Sequence, residues 1–209
     1  PHKDRLAVLS VLQNTGDLQF RFGGAALDLL GQEFLTVPDK WRQRLVELGE
    51  AVYSTAELKT LLDDWFGERN KQLRTAIEHA AAITFYRHQS SVPVVGTLVC
   101  DDAGQFKLLT DRLALCWIHA GRHYEKLSPV VPRHAALREA FVERYWDFYQ
   151  SLQDYRAGPS ESWATALRAE FDELFSTRTG YAALDDRIAK TAAKKEELLT
   201  VLSEPWVPL

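Results

Sequence analysis

Apolar and polar positions alternate near the start of the chain and then change to a longer period. Residues 6–12 are apolar, a turn sequence follows at 14–17, and residues 18–22 then alternate between apolar and polar. Alternation with a period of two is typical of a half-buried strand, and two such segments around a turn predict a β-hairpin over 6–22. Apolar residues at helical spacing continue from 25 to 89 and predict a series of helices there.

The period changes again at residue 92. Residues 92–100 (VPVVGTLVC) form a near-continuous apolar run, and residues 113–118 (LALCWI) form a second one. Such runs are typical of strands that are buried on both faces, usually in a parallel sheet. With a short helix expected over 103–110, the whole segment 92–118 predicts a strand, a helix and a second strand joined by a right-handed crossover.

Helical spacing returns after His119 and continues to the end of the chain. Six apolar residues step by three or four positions and predict one long amphipathic helix: Leu137, Phe141, Tyr145, Phe148, Leu152 and Tyr155. A second stripe begins at Trp163, and a last helix is expected over 182–202. The pattern as a whole predicts a mostly α protein of the α+β or α/β class, with a first domain over 1–125 and an all-helical domain over 126–209.

Composition and charge narrow the function classes. The 209 residues are 46% hydrophobic and 26% charged, which is typical of a soluble globular protein. Because the net charge is −4, contact with nucleic acid would require a local basic face. A chain with two cysteines is not built on a disulfide scaffold. No apolar run reaches the length of about 20 residues that spans a membrane, and the sequence does not start with a leader pattern. We therefore expect a bacterial cytoplasmic protein without a membrane partner.

Two aspartates end the first apolar run. In open α/β sheets, ligand and metal sites gather at the carboxyl ends of parallel strands, where Asp101 and Asp102 are expected to lie. Carboxylates suit Mg²⁺ or Mn²⁺, which would offset the repulsion between two adjacent like charges. The other interpretation is a helix cap, in which an aspartate accepts backbone N–H bonds. Spacing alone leaves both interpretations open.

The second apolar run ends in a Cys-x-x-His sequence, and another histidine follows one helical turn later. Cys116, His119 and His123, together with Cys100 on the first strand, have the side chains of a zinc site. Cysteines that point inward from strands are more commonly core residues, so we expect no zinc. A strand-end histidine can also be simply hydrogen bonded.

Basic residues recur at helical spacing near the end of the chain. They are Arg187, Lys190, Lys194 and Lys195. Such a stripe can contact a phosphate backbone, or it can be an ordinary solvated helix face. Acidic neighbours, among them Asp186 and Glu196, dilute its charge.

These motifs together resemble a known family. The sequence LVCDDAGQFKLL followed by LALCWIHAGRHYEKL resembles the second catalytic strand and the Cys-x-x-His strand of DDE transposases, in the bacterial insertion-sequence group with a C-W-x-H signature. The terminal WVPL resembles the start of that group's P-L-H-N-N-x-x-E segment. The resemblance is strongest over 92–127.

The resemblance implies a fold and an activity. The fold is a ribonuclease H-like mixed sheet, here partial, with the hairpin as its second and third strands and residues 126–204 as a helical insertion. The activity is Mg²⁺-dependent hydrolysis and strand transfer of DNA by three carboxylates, carried out by multimers on paired transposon ends. Asp101 matches the second catalytic aspartate, and Asp102 ranks after it as a ligand. Cys116 and His119 match the Cys-x-x-His motif, whose histidine orients the scissile phosphate.

The other two acids of the family find no match. Asp4 lies too close to the predicted hairpin to be the first aspartate, and Glu196, Glu197 and Glu204 lack the context of the final glutamate. No methionine occurs, not even at position 1, so we expect a fragment that does not cut DNA alone. The alternative is a remnant or domesticated module that binds DNA or protein through its helices, which are rich in aromatic residues.

Overall fold

The computed structural model describes residues 4–14 and 16–209, so the turn sequence at 14–17 lies partly outside the described residues. As predicted, the chain is mostly helical. No helix among the described residues has both the length and the apolar character needed to cross a membrane.

Backbone contacts divide the chain into two compact units. The first unit consists of residues 1–96 and 104–111, and the second unit consists of residues 97–103 and 112–209. The predicted domain boundary near residue 125 therefore falls inside the second unit. Each unit holds its own small sheet.

The first unit is built from five helices and two short strands, as far as the structure describes it. In chain order these are α1 (Arg5–Gln13), β1 (Gln19–Arg21), α2 (Gly24–Leu29) with a π-helical turn (Leu30–Phe34), α3 (Asp39–Glu47), β2 (Val52–Ser54), α4 (Thr55–Phe66) and α5 (Lys71–His88). Ser54 and Glu57 form a capping box that starts α4 directly after β2. The central helix α5 buries Ile77, Ala81 and Ile83.

The predicted hairpin over 6–22 is wrong. Residues 6–12 lie in α1, and β1 instead pairs antiparallel with β2, with Phe20 opposite Tyr53. Asp4 caps α1 by accepting the N–H of Leu6, and Leu9 and Gln13 are buried one helical turn apart. Because residues 6–12 are apolar almost throughout, their sequence has no period that separates a helix from a strand, and packing against α5 decides.

The second unit is a parallel strand pair packed against helices. In chain order its elements are β3 (Thr97–Cys100), β4 (Arg112–Leu115), α6 (Trp117–Glu125), α7 (Pro132–Ala157), α8 (Glu161–Phe175), α9 (Ala182–Ala192), α10 (Lys195–Leu198) and a 3₁₀ turn (Thr200–Leu202). The long stripe predicted on α7 faces the core, where Phe141, Tyr145 and Phe148 are buried. The helices of the second unit surround Trp117, which is fully buried against Tyr145, Phe148 and the aromatic residues of α8.

The strands are shorter than predicted, and the segment between them is not a helix. Before β3, the N–H groups of Val92 and Val95 donate to the side chains of Gln89 and Tyr86 and not to a neighbouring strand. Between the strands, a 3₁₀ turn spans only Gly104–Phe106, and Leu108 has a left-handed backbone with φ of 69° that a helix does not accept.

The predicted burial on both faces is also wrong for β3. Val99 is 38% exposed, whereas Ala114 and Leu115 of β4 are buried. In the described residues, the strands form two separate two-stranded sheets and not one mixed sheet. The last predicted helix is interrupted at Lys194, where the backbone leaves the helical conformation.

Candidate functional site

Two parallel strands bring the sequence motifs to one sheet edge. Cys100 of β3 lies in register with Leu115 of β4, and the N–H of Cys116 donates to the carbonyl of Cys100 at 2.9 Å. Asp101 and Cys116 therefore follow the paired ends of the two strands directly. Because α6 begins at Trp117, His119 and His123 lie on its first two turns, three and seven residues after Cys116.

Asp101 makes the local bond expected of a cap. Its Oδ1 accepts the N–H of Ala103 at 3.1 Å, which turns the chain at the end of β3. Because only a 3₁₀ turn follows, Asp101 forms an Asx turn and does not start an α-helix.

Asp102 is paired with a cation of the same unit. Its Oδ2 accepts a hydrogen bond from the Nζ of Lys194, and the two side chains are 38% and 26% exposed. The repulsion between adjacent aspartates is thus offset by a lysine that lies 92 residues further along the chain.

A small cavity lies beside this ion pair. Its walls include Asp102, Cys116, His119, His123, Arg187 and Lys194. The volume of about 20 Å³ leaves room for one water molecule. The rings of His119 and His123 meet edge to face with 5.1 Å between their centroids.

The surroundings of His123 favour its neutral imidazole. Burial lowers the pKa of His123, and the positive charge of Arg187 lowers it further. A neutral imidazole can both donate and accept a hydrogen bond. With the fixed charges of Arg187 and Lys194 in the same wall, the site can hold a small polar or anionic group and orient it.

The residues of this edge do not fit a metal ion by themselves. Asp101 is engaged with backbone and Asp102 with Lys194, while burial raises the pKa of the Cys100 thiol to about 11 and so disfavours the thiolate that ligates zinc. Among the described residues, no group of three or more histidine, cysteine or acidic side chains is arranged to hold a metal. These residues alone therefore do not form a metal site.

The predicted basic stripe is divided between two environments. Arg187 lies over the ring of Tyr124 at 5.8 Å and lines the cavity together with Lys194. Lys190 pairs with Asp186 at 2.7 Å, and Lys195 pairs with Asp172 at 2.6 Å. Sequence patterns indicate both halves of the site, the histidines and the basic stripe, but no pattern indicates that Arg187 and Lys194 share a wall with His119 and His123.

One relative is similar over part of the chain. A protein of Sinorhizobium fredii (strain NBRC 101917 / NGR234) that is described as uncharacterized protein y4jO is 42% identical over 112 residues. These residues are 54% of this chain and 34% of that protein, so the match spans about a third of the relative's length. The sequence matches no family model. Among solved structures, none matches the chain.

Proposed function

We propose that this chain is a segment of a bacterial DDE transposase and that β3 and β4 belong to its ribonuclease H-like catalytic core. The observation that carries the proposal is the parallel register of the two strands. That register brings the strand-end Asp101 and the Cys-x-x-His motif to one edge, which is the arrangement that the family resemblance requires.

In this proposal the longer protein hydrolyses and joins DNA phosphodiesters at transposon ends in the bacterial cytoplasm. Asp101 is one of three acids that hold Mg²⁺ or Mn²⁺, and the two other acids come from outside the described residues. Because the residues of this edge do not fit a metal by themselves, we expect no strand cleavage by this chain alone. Assembly of several copies on paired ends stays a prediction.

The cavity residues have a separate role, which is to bind the DNA backbone. Arg187 and Lys194 carry fixed positive charge, and His119 and His123 add hydrogen-bond donors in the same wall. A phosphate oxygen that enters here meets Arg187, which lies over the ring of Tyr124, and reaches Lys194 by displacing Asp102. His119 is the group closest in sequence to the strand end, so we assign to it the orientation of the scissile phosphate.

Replacing Asp101 with asparagine in the longer protein tests the catalytic assignment. The amide oxygen can still accept the N–H of Ala103, so the turn is kept while the negative charge is removed. We expect Mg²⁺-dependent cleavage of transposon-end DNA to disappear and DNA binding to survive. The matched control is Asp172→Asn on α8, where the same change lies in an exposed ion pair. Cleavage retained by Asp101→Asn would overturn the assignment.

The second candidate function is a DNA-binding module without catalysis, and one observation favours it: Asp102 is paired with Lys194, and Lys194 and Arg187 share one cavity wall. The aromatic residues of these helices offer few ring faces to bases, because Tyr145, Phe148 and Phe171 are buried. Binding would then depend on the cavity cations. Salt-dependent DNA affinity that falls in Arg187→Gln while Asp101→Asn leaves every activity unchanged would favour this candidate.

A further inference from the structure

A pair of partly exposed tryptophans lies side by side on the first unit. Trp41 of α3 and Trp65 of α4 have ring centroids 6.0 Å apart, with 28° between their planes. Trp41 also packs on the buried ring of Phe66, with 4.4 Å between centroids. The indoles are therefore anchored to the core while part of their surface meets solvent.

Two exposed cations lie over these rings. The Nζ of Lys40 is 4.7 Å from the centroid of Trp41, and the guanidinium carbon of Arg44 is 5.4 Å and 5.6 Å from the centroids of Trp41 and Trp65. We call Lys40, Trp41, Arg44 and Trp65 the tryptophan patch.

Neither cation of the tryptophan patch is held in an ion pair among the residues that the structure describes. Lys40 and Arg44 are one helical turn apart, a spacing at which like charges repel. Within the described residues, no ion pair joins either cation to an acidic side chain. The ring faces stabilise the cations instead, and this leaves both charges available to an anion.

We propose that the tryptophan patch binds single-stranded nucleic acid. Lys40 and Arg44 turn from the indole rings to the phosphates of the strand, and the bases stack on the exposed ring surface that the two cations leave. The combination is the physical requirement for such binding, since aromatic stacking serves unpaired bases and cations serve the backbone. A duplex offers only its phosphates, because its bases are stacked inside. An acidic peptide matches the cations but gives the two indoles no planar partner.

This inference uses only residues of the first unit and does not rest on the proposed transposase function. The two can therefore fail separately. Substitutions in the tryptophan patch test this inference, whereas substitutions at Asp101 and Arg187 test the proposed function.

The test is a fluorescence titration of the full chain with an oligo-dT of about 12 nucleotides, a length within the range that single-strand sites cover. We expect the oligonucleotide to quench tryptophan emission, and Trp65→Phe to reduce the quenching. The double variant Lys40→Gln/Arg44→Gln should bind roughly tenfold or more weakly, and its salt slope should fall by about 0.7 for each phosphate that the variant no longer neutralises. These two changes alter exposed side chains and leave the buried Phe66 in place.

Lys59→Gln is the matched control, because it removes an exposed lysine from α4 outside the tryptophan patch. Equal affinities in the double variant and in Lys59→Gln would overturn the proposal. So would binding to a duplex of the same length as tightly as to the single strand, or equal competition by poly-glutamate. A parallel titration with oligo-rU distinguishes an RNA strand from a DNA strand as the source of the same chemistry.

Discussion

The cavity at the end of β3 and β4, which we call the strand-edge site (Asp102, His119, His123, Arg187 and Lys194), and the tryptophan patch hold their cations in different ways. At the strand-edge site, Lys194 is paired with Asp102. The nearby lysines are paired as well, Lys190 with Asp186 and Lys195 with Asp172. In the tryptophan patch, Lys40 and Arg44 lie over indole rings. Both regions look basic in the sequence, but their charges are available to different degrees.

The difference matters for binding because a carboxylate and a phosphate compete for the same cation. A ring does not compete in this way, since a cation over an aromatic face keeps most of its N–H donors. DNA that reaches the strand-edge site must displace Asp102 from Lys194, whereas a strand that reaches the tryptophan patch finds Lys40 and Arg44 without a carboxylate. Charge density along a sequence therefore does not by itself measure the capacity to bind an anion.

Aromatic residues also serve the two regions differently, and this gives the largest expected effect. Trp117 is fully buried, and its indole N–H donates to the carbonyl of Leu198 at 2.8 Å. We expect Trp117→Ala to lower the free energy of unfolding by about 3–5 kcal/mol through the cavity it leaves. Trp41→Ala should cost less, about 1–2 kcal/mol, because Trp41 is only partly buried. Urea denaturation of the two variants measures both changes.

Trp206→Ala is the control for this comparison. Trp206 is 69% exposed, so its removal should change the free energy of unfolding by no more than about 0.5 kcal/mol. If Trp41→Ala proved as costly as Trp117→Ala, Trp41 would be a core residue, and the tryptophan patch could not be treated as a binding surface.

The buried carboxylate of Glu204, in the second unit, gives the next largest effect. Glu204 is 9% exposed, its Oε2 accepts the hydroxyl of Thr97 at 2.7 Å, and its Oε1 accepts Arg112. Because Thr97 and Arg112 are opposite each other in the sheet, Glu204 joins the starts of both strands. We expect Glu204→Ala to lower the free energy of unfolding by about 1.5–3 kcal/mol, the range for hydrogen bonds to charged groups, in urea denaturation. The exposed Glu173→Ala is the control.

The same residue predicts a pH dependence. The hydrogen bond from Thr97, and then the bond and charge of Arg112, lower the pKa of Glu204 below its ordinary value of 4.5. The unfolded chain therefore takes up this proton first, and the stability that Glu204 contributes is present above pH 4.5 and is lost as the pH falls through the folded pKa. In Glu204→Gln that part of the acid-induced destabilisation should vanish. An unchanged acid profile would mean that Arg112 does not hold the carboxylate in solution.

Much of the fold follows from the sequence where the local signals agree. The apolar stripe of α7 predicts its helix, and the stripe that begins at Trp163 does the same for α8, where the Ser160 hydroxyl caps the helix by accepting the N–H of Trp163. Residues 6–12 mislead because an apolar run fits either period, and packing against α5, far along the chain, decides. Of the site, the nearness of Asp101 and Cys116 is predictable from parallel strands. The Lys194–Asp102 pair is not, since no local rule joins residues 92 positions apart.

The smallest expected effect separates the two ways of holding a cation most directly. Lys190 and Asp186 form an exposed ion pair one helical turn apart, so Lys190→Gln should cost about 0.3–0.5 kcal/mol at low salt. That cost should disappear in about 1 M NaCl, where screening acts over roughly 3 Å.

Arg44→Gln should cost about 0.5–1 kcal/mol at low salt, the range for an exposed cation over a ring. Most of this cost should remain at high salt. The guanidinium lies against the ring, so dissolved ions cannot enter between them and screen the interaction. Thermal denaturation of both variants at two salt concentrations measures the difference, with Lys59→Gln as the control. A cost of Arg44→Gln that vanished in salt like that of Lys190→Gln would mean that Arg44 is bound to a carboxylate in solution, and its charge would then be no more available than that of Lys194.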